Sequence, residues 1–419
     1  MSTAFSRKLN ETLIRATTSS GLKITILPKP GFHKTEIHLA VGFGSIDESG
    51  AKGTNGLPQG TAHFLEHMLF ENEAADPSTA FARLGAQVNA YTAADVTVYY
   101  FSTTDPWQPA ADLLFHLVLE PTILAAGVTK EKQIIAREIQ MYEDDVNDLM
   151  YEELLNALYH DHPVAHPIAG TIASIAAIDE VLLRTAHETY YVPANMHLMV
   201  VGDVDPAAVI AAAEHHPAFR NGTKKPVSHV RPEDHRPAKT EVTKKKDIKN
   251  DMLMLGVKFD RPMTKTCFEN DVEEIAWAFL FDSLFGKASP NYQDLIRKGL
   301  VNEAFEATAQ CEPDYGHIVV YTETKKPASA AKALWNLLDT ASNRLDLARF
   351  ETAKRRLIGN YVQTFNNVSA LAGFVLDYEL EDVDVFDLIE AIDKITLDDL
   401  RALLPKLSID ARTTITYHR

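Results

Sequence analysis

Two stretches decide the fold: AHFLEHMLFE (Ala62–Glu71) and WAFLFDSLFG (Trp277–Gly286), roughly 200 residues apart. Aligned without gaps, Phe64, Leu65, Leu69 and Phe70 face Phe279, Leu280, Leu284 and Phe285. His63, Glu66 and His67 face Ala278, Phe281 and Asp282. The apolar scaffold recurs and the polar residues do not. One copy has a site where the other has a core.

The flanks repeat in the same order. In the first half, LKITILPKP (Leu22–Pro30) reads as a strand. TEIHLAVGFGSIDE reads as a second strand ending in a glycine-rich turn, with a helix next. STAFARLG is a short helix closed by Gly85, and AQVNAYTAADVTVYYFSTT a strand pair rich in Thr, Val and Tyr. Next come the helix WQPAADLLFHLVLEP, one long helix or two abutting ones over TKEKQIIAREIQMYEDDVNDLMYEELLNALY, and the strand NMHLMVVGDVD. In the second half DMLMLGVKFD, NEAFEATAQCEPDYGHIVVYTET, SNRLDLARFETAKRRLIGNYVQTF, LDDLRALL and ARTTITYHR replay that order. Strands followed by helices and a closing strand, twice, predict an α+β chain of two tandem homologous domains. Each has an antiparallel-rich sheet covered by helices. The expected boundaries are 1–218 for the first domain, 219–249 for a linker rich in Lys, Arg and Pro with a strand at TEVTKKKD, and 250–419 for the second.

Bulk properties agree. A chain of 419 residues exceeds one compact core. A net charge of −17 argues against nucleic acid and is compatible with basic ligands. Two cysteines, Cys267 and Cys311, cannot frame a disulfide scaffold, so a reducing, cytoplasmic location is expected. No run of ~18 apolar residues predicts a membrane span. The N-terminal MSTAFSRKLNETLIRATTSSG lacks the apolar segment of a secretory signal.

His63, Glu66 and His67 form H-x-x-E-H. Positions i and i+4 of a helix lie about 40° apart, so the three share a face. Two imidazoles one turn apart can hold zinc, and Glu66 beside them can act as general base on water. A surface helix that happens to bear two histidines is the alternative. A third ligand must come from another element, where Glu131, Glu138 and Glu143 are available. Glu131 and Glu138 lie two turns apart on one face, beside Ile134, Ile135 and Ile139. A metal would relieve a partly buried acidic pair; an ion pair of Glu131 with Lys132 or Arg137 is the bland alternative. YHDHPVAHP (Tyr159–Pro167) clusters three histidines in a proline-bounded loop, but its prolines favour a rigid loop over a metal site.

The chain resembles the pitrilysin/insulinase family of zinc metallopeptidases, the inverzincins, over nearly its whole length. The resemblance rests on GSIDE, GTAHFLEHMLFE, GAQVNAYTAADVTVYYF, EKQIIAREIQMYEDD, HPIAGTIASIAAI and YYVPANMHLMVVGDVD. It implies zinc held by His63, His67 and Glu138, Glu66 as general base, and Glu131 orienting a histidine. It further implies that the strand edge at Asn89 and Ala90 binds an extended peptide substrate, and that two domains enclose a chamber. The implied activity is that of a zinc-dependent endopeptidase acting on peptides or unstructured segments. The rivals are a peptide-binding subunit with a structural zinc and another kind of zinc hydrolase or metal carrier. One departure stands out. Where the family carries an Arg and a Tyr near a GL-x-Y turn, this chain has Leu295 and Asn302. That predicts the zinc-bearing subunit of a hetero-oligomer with a homologous subunit, with a homodimer as the fallback.

Overall fold

The computed structural model describes residues 1–48, 56–71, 77–219, 226, 233–259 and 265–419. Part of the expected linker, 220–225 and 227–232, lies outside the described residues, as does much of the glycine-rich segment after Glu48.

The chain opens with β1 (Ser2–Ser6), β2 (Glu11–Thr17), β3 (Lys23–Pro28) and β4 (Thr35–Val41), then α1 (Thr61–Phe70) and α2 (Pro77–Arg83). There follow β5 (Ala86–Thr92), β6 (Thr97–Thr103), α3 (Gln108–Leu119), α4 (Ala125–Asp144), α5 (Val146–Leu158), α6 (Ile172–Ala176), α7 (Glu180–Tyr190), β7 (Met196–Gly202) and α8 (Pro206–His215). The second half runs β8 (Glu241–Lys245), β9 (Met252–Lys258), α9 (Cys267–Phe285), α10 (Pro290–Arg297), β10 (Glu306–Cys311), β11 (Gly316–Glu323) and α11 (Pro327–Asp339). It ends in α12 (Leu347–Thr364), α13 (Val368–Leu380), α14 (Val385–Ile392), α15 (Leu397–Leu403) and β12 (Arg412–His418).

Among the described residues, one sheet has the order β1-β2-β3-β7-β4-β6-β5 and the other β10-β11-β9-β12-β8. Read from β5 and from β10, the first five strands correspond one to one, down to the parallel pair β3–β7 echoed by β8–β12. The duplication read from the sequence is therefore a duplication of topology. β1 and β2, a pair not anticipated from the Ser/Thr-rich N-terminus, extend the first sheet past β3. Among the described residues no helix is long and apolar enough to cross a membrane.

The chain divides into two compact units. The first comprises Met1–Met141, His166–His229 and Val362–Asp382; the second comprises Tyr142–Ala165, Val230–Tyr361 and Val383–Arg419. They interleave along the chain. In the first unit, α13 lies on β4 and β7. In the second, α5 lies on β9 and β12, the counterparts of β4 and β7. The second-half helix α13 thus covers the first-half sheet, and the first-half helix α5 covers the second-half sheet.

Register explains why the first sheet needs a helix on each side. Ile14, Ile26, Val200, Ile37, Phe101 and Val88 align across it and face a core shared with α1 and α3. The next row, Arg15, Thr25, Met199, His38, Tyr100 and Asn89, points the other way. On that polar face Glu379 of α13 takes an ion pair from Arg15 and a hydrogen bond from Thr25 at 2.8 Å, so the cover is polar too.

Candidate metal centre

Helix α1 starts from a fixed point. Gly60 adopts φ +84°, and a Cβ there would stand 2.5 Å from the Ala169 carbonyl oxygen, so glycine is required. The first-turn amides are capped by Glu48, the last residue of the GSIDE segment. Its two carboxylate oxygens accept from Gly60 N–H and Ala62 N–H at 2.7 Å each. Glu48 is fully buried, and burial pushes its carboxyl up to about 8 against the pull of those amides. The helix buries Ala62, Phe64, Leu65, Met68 and Leu69; Phe70, read from sequence as part of the apolar stripe, is only half-buried.

Helix α4 approaches closely at Gly127, where a Cβ would meet Met68 Cε at 3.2 Å and Glu71 Cγ at 3.3 Å. It buries Glu131, Ile135 and Ile139 and leaves Ile134 exposed, so the stripe is narrower than the three isoleucines suggested. Glu131 pairs with neither Lys132 nor Arg137 among the described contacts: its Oε2 lies 3.1 Å from His67 Nδ1, while Lys132 donates to the Ala176 carbonyl.

The donor atoms converge. Glu138 Oε1 is 3.6 Å from His63 Nε2, and Glu138 Oε2 is 3.3 Å from His67 Nε2. The imidazole centroids are 4.7 Å apart at 63°, and the three donors lie within 4.8 Å of one another. Ligands on a tetrahedral ion with bonds of ~2.0–2.1 Å stand ~3.4 Å apart, so the set suits zinc in composition and spacing. Glu131 on Nδ1 leaves His67 Nε2 as the ligating atom, the carboxylate–histidine arrangement that fixes a metal-binding tautomer. The electrostatics also call for a cation. Burial pulls the His67 imidazole down, but hydrogen bonds to Glu131 and Glu138, with the charges of Glu138 and Glu66, carry it up to about 9. A proton supplies the positive charge that a metal ion would supply in its place.

Glu66 shares this face but makes a different contact: Thr92 Oγ1 donates to its Oε2 at 2.6 Å. Thr92 closes β5, the edge strand of its sheet. Asn89 and Ala90 sit on that edge, and Ala90 N–H donates to Asn89 Oδ1 at 2.9 Å. The sequence reading did not single out Thr92 or Glu48. Thr92 ends the quoted strand four residues before a second valine-rich run, and GSIDE precedes the helix; neither position has a local spacing that ties it to Glu66 or to an amide pair.

In the second unit Leu295 is buried and Asn302 bonds to Glu323 at 3.3 Å, so those positions present no guanidinium or phenol. Arg297 pairs with Asp294, and Tyr292 is buried against Phe305. Asp282, facing His67 in the repeat, pairs with Arg356. In the histidine-rich loop, His162 pairs with Asp314 at 3.2 Å and His160 Nε2 meets the Arg236 carbonyl; among the described residues the loop forms no metal-ligating group.

The sequence matches the family described as insulinase (peptidase family M16) over residues 24–172 and the peptidase M16 inactive domain over 179–357. It is 32% identical over 416 residues to the uncharacterized zinc protease YmfH of Bacillus subtilis, covering 97% of this chain and 96% of that one. Among solved structures it is similar to a putative M16-like peptidase from Alicyclobacillus acidocaldarius, with 29% identity, TM-score 0.90, and 97% and 98% coverage. It also shares the fold of the periplasmic protease PqqL of Escherichia coli, with 19% identity and TM-score 0.76. All of this chain is matched there, but only 48% of PqqL.

Proposed function

The chain belongs to the insulinase family, peptidase family M16, and from that premise we propose that it is a zinc-dependent endopeptidase acting on peptides or unstructured segments. The observation that carries the reading is the convergence of His63 Nε2, His67 Nε2 and Glu138 within 4.8 Å, with Glu66 held beside them by Thr92.

His63, His67 and Glu138 would hold the ion, and Glu131 would keep the His67 proton on Nδ1. When bound, zinc supplies Lewis-acid polarisation of the scissile carbonyl and acidifies water. Thr92 anchors Glu66 through Oε2, which leaves Oε1 to act as the base on water. Glu66 takes one proton as the water oxygen bonds to the carbonyl carbon. It then returns that proton to the amine nitrogen as the C–N bond breaks. The edge of β5 would pair with an extended substrate by backbone hydrogen bonds, Ala90 N–H exchanging the Asn89 side chain for a substrate carbonyl. The net charge of −17 favours basic peptides.

Leu295 and Asn302 supply no group for the oxyanion, so a homologous second chain completes the site in this reading, with a homodimer as the fallback. PqqL, of which this chain matches 48%, carries about twice this length in one polypeptide, which fits a need for two copies of the fold. On composition alone we place the chain in the cytoplasm, which cell fractionation would check.

The test is peptide cleavage with metal analysis, on the chain alone and mixed with a homologous subunit. Glu66→Gln is expected to abolish cleavage and keep the zinc. Cleavage that survives Glu66→Gln would overturn the assignment. No cleavage by the wild type with any homologous subunit, zinc being bound, would favour the peptide-binding alternative. Full activity alone, unchanged by a partner, would remove the two-subunit part.

A further inference from the structure

A second group of side chains repeats the geometry of the first. Asp112 and His116 stand one turn apart on α3, and His216 follows the last residue of α8. Their donor atoms also lie within 4.8 Å of one another. The His116 and His216 rings are 4.8 Å apart at 64°, against 4.7 Å and 63° for His63 and His67. Asp112 Oδ1 is 3.1 Å from His216 Nε2. His116 Nδ1 lies 3.0 Å from Glu120 Oε2, as His67 Nδ1 lies 3.1 Å from Glu131. Two imidazoles, a carboxylate between them and an outer carboxylate on one ring make the same inventory of parts.

We propose that Asp112, His116 and His216 form a second zinc site, with Glu120 holding His116 so that its Nε2 faces the ion. Three protein donors of this kind suit a borderline divalent cation better than magnesium or calcium, which take oxygen ligands. The His216 ring is fixed before any ion arrives, walled edge-on by Phe115 at 5.1 Å and by Phe219 at 6.0 Å. Asp112 is exposed and His116 part-exposed, so the ion exchanges more readily than one at His63 and His67. Glu120, the outer carboxylate of this set, is engaged with His116 and does not stand free as a base. The role is therefore structural or regulatory: the ion would clip α3 to the end of α8.

Ligation has a local consequence. His216 Nδ1 accepts a hydrogen bond from Ala218 N–H at 3.2 Å, which puts the proton of the neutral ring on Nε2. Binding through Nε2 moves that proton to Nδ1, so the Ala218 bond must open.

The test uses a background chain with His63→Ala and His67→Ala, which removes the first centre. Equilibrium dialysis should find one zinc equivalent on the stripped background chain and none after His116→Gln or His216→Asn is added. Zinc should raise the unfolding temperature of the background chain and leave that of the His116→Gln derivative unchanged. Amide exchange at Ala218 should accelerate when zinc binds. A background chain that takes up no zinc at millimolar concentration would overturn the site. So would zinc retained after His116→Gln in a folded chain. Uptake with Ala218 exchange unchanged would exclude His216 as a ligand and with it the site as drawn.

Discussion

Thr92 donates its hydroxyl proton to one oxygen of Glu66, and in the proposed mechanism that bond decides which oxygen is left to meet water. Thr92→Val keeps the strand's shape and removes the donor. Cleavage should fall on the order of tenfold with zinc content unchanged, since partners of this kind cost 10–100-fold when lost. Steady-state kinetics beside metal analysis reads both; a loss of zinc would mean that Thr92 supports the fold and not the base. Glu131→Gln should act in the opposite sense. It weakens the hold on His67 Nδ1, so zinc affinity should drop about 10–100-fold, measured by chelator competition. The histidines and Glu66 were legible because helical spacing puts them on one face, and Glu138 because the family resemblance places it seven residues after Glu131. Thr92, Glu48 and the trio of Asp112, His116 and His216 were not. Each acts across elements, and His216 has no neighbour in sequence that marks it as a partner of α3.

The start of α1 depends on two residues outside the helix proper. Glu48→Ala leaves the amides of Gly60 and Ala62 without acceptors at a buried helix end, which costs ~1–3 kcal/mol. Gly60→Ala adds a left-handed penalty of ~1–2 kcal/mol and drives a methyl toward the Ala169 oxygen. Denaturant midpoints check both, and zinc retention should fall with them. In the other unit α5 docks through His317, whose ring lies 3.0 Å from the Tyr159 hydroxyl at Nδ1 and 3.3 Å from the Tyr151 hydroxyl at Nε2. Burial holds this imidazole down to about 4, below the ~6.5 of an unfolded chain. The unfolded state therefore binds the proton first. The contribution is intact above ~6.5 and drains away as pH falls toward 4, by up to ~3 kcal/mol. Urea midpoints at about pH 7 and about pH 4.5 should differ less in His317→Gln than in the wild type. An equal difference would mean that other groups carry the acid sensitivity. Sequence patterning read the stretch of α4 and α5 as one long helix or two abutting ones, and the structure has two. The same patterning missed β1, which is mostly exposed with only Ser6 buried and so lacks the alternation that marks a strand.

Across the whole molecule, the repeat was legible and the placement of its helices was not. Aligning the halves makes α5 and α13 counterparts, yet nothing in either sequence says that each lies on the sheet of the opposite half. Hydrophobic periodicity reports which face of a helix is covered, never which sheet covers it. An inserted protease site between residues 220 and 232 provides the check. The cleaved halves should stay together in native buffer and part only in denaturant, read by size-exclusion chromatography. Separation without denaturant would mean that the interleaved helices contribute little. The arrangement also sets a timetable for synthesis. Met1–Met141 emerges from the ribosome early, but its sheet waits for Val362–Asp382 before its polar face, with Thr25 and His197, is covered. Most of the chain must therefore be translated before β4 and β7, the strands that α13 covers, are sealed. During that interval this face of the nascent N-terminal half stays open to solvent.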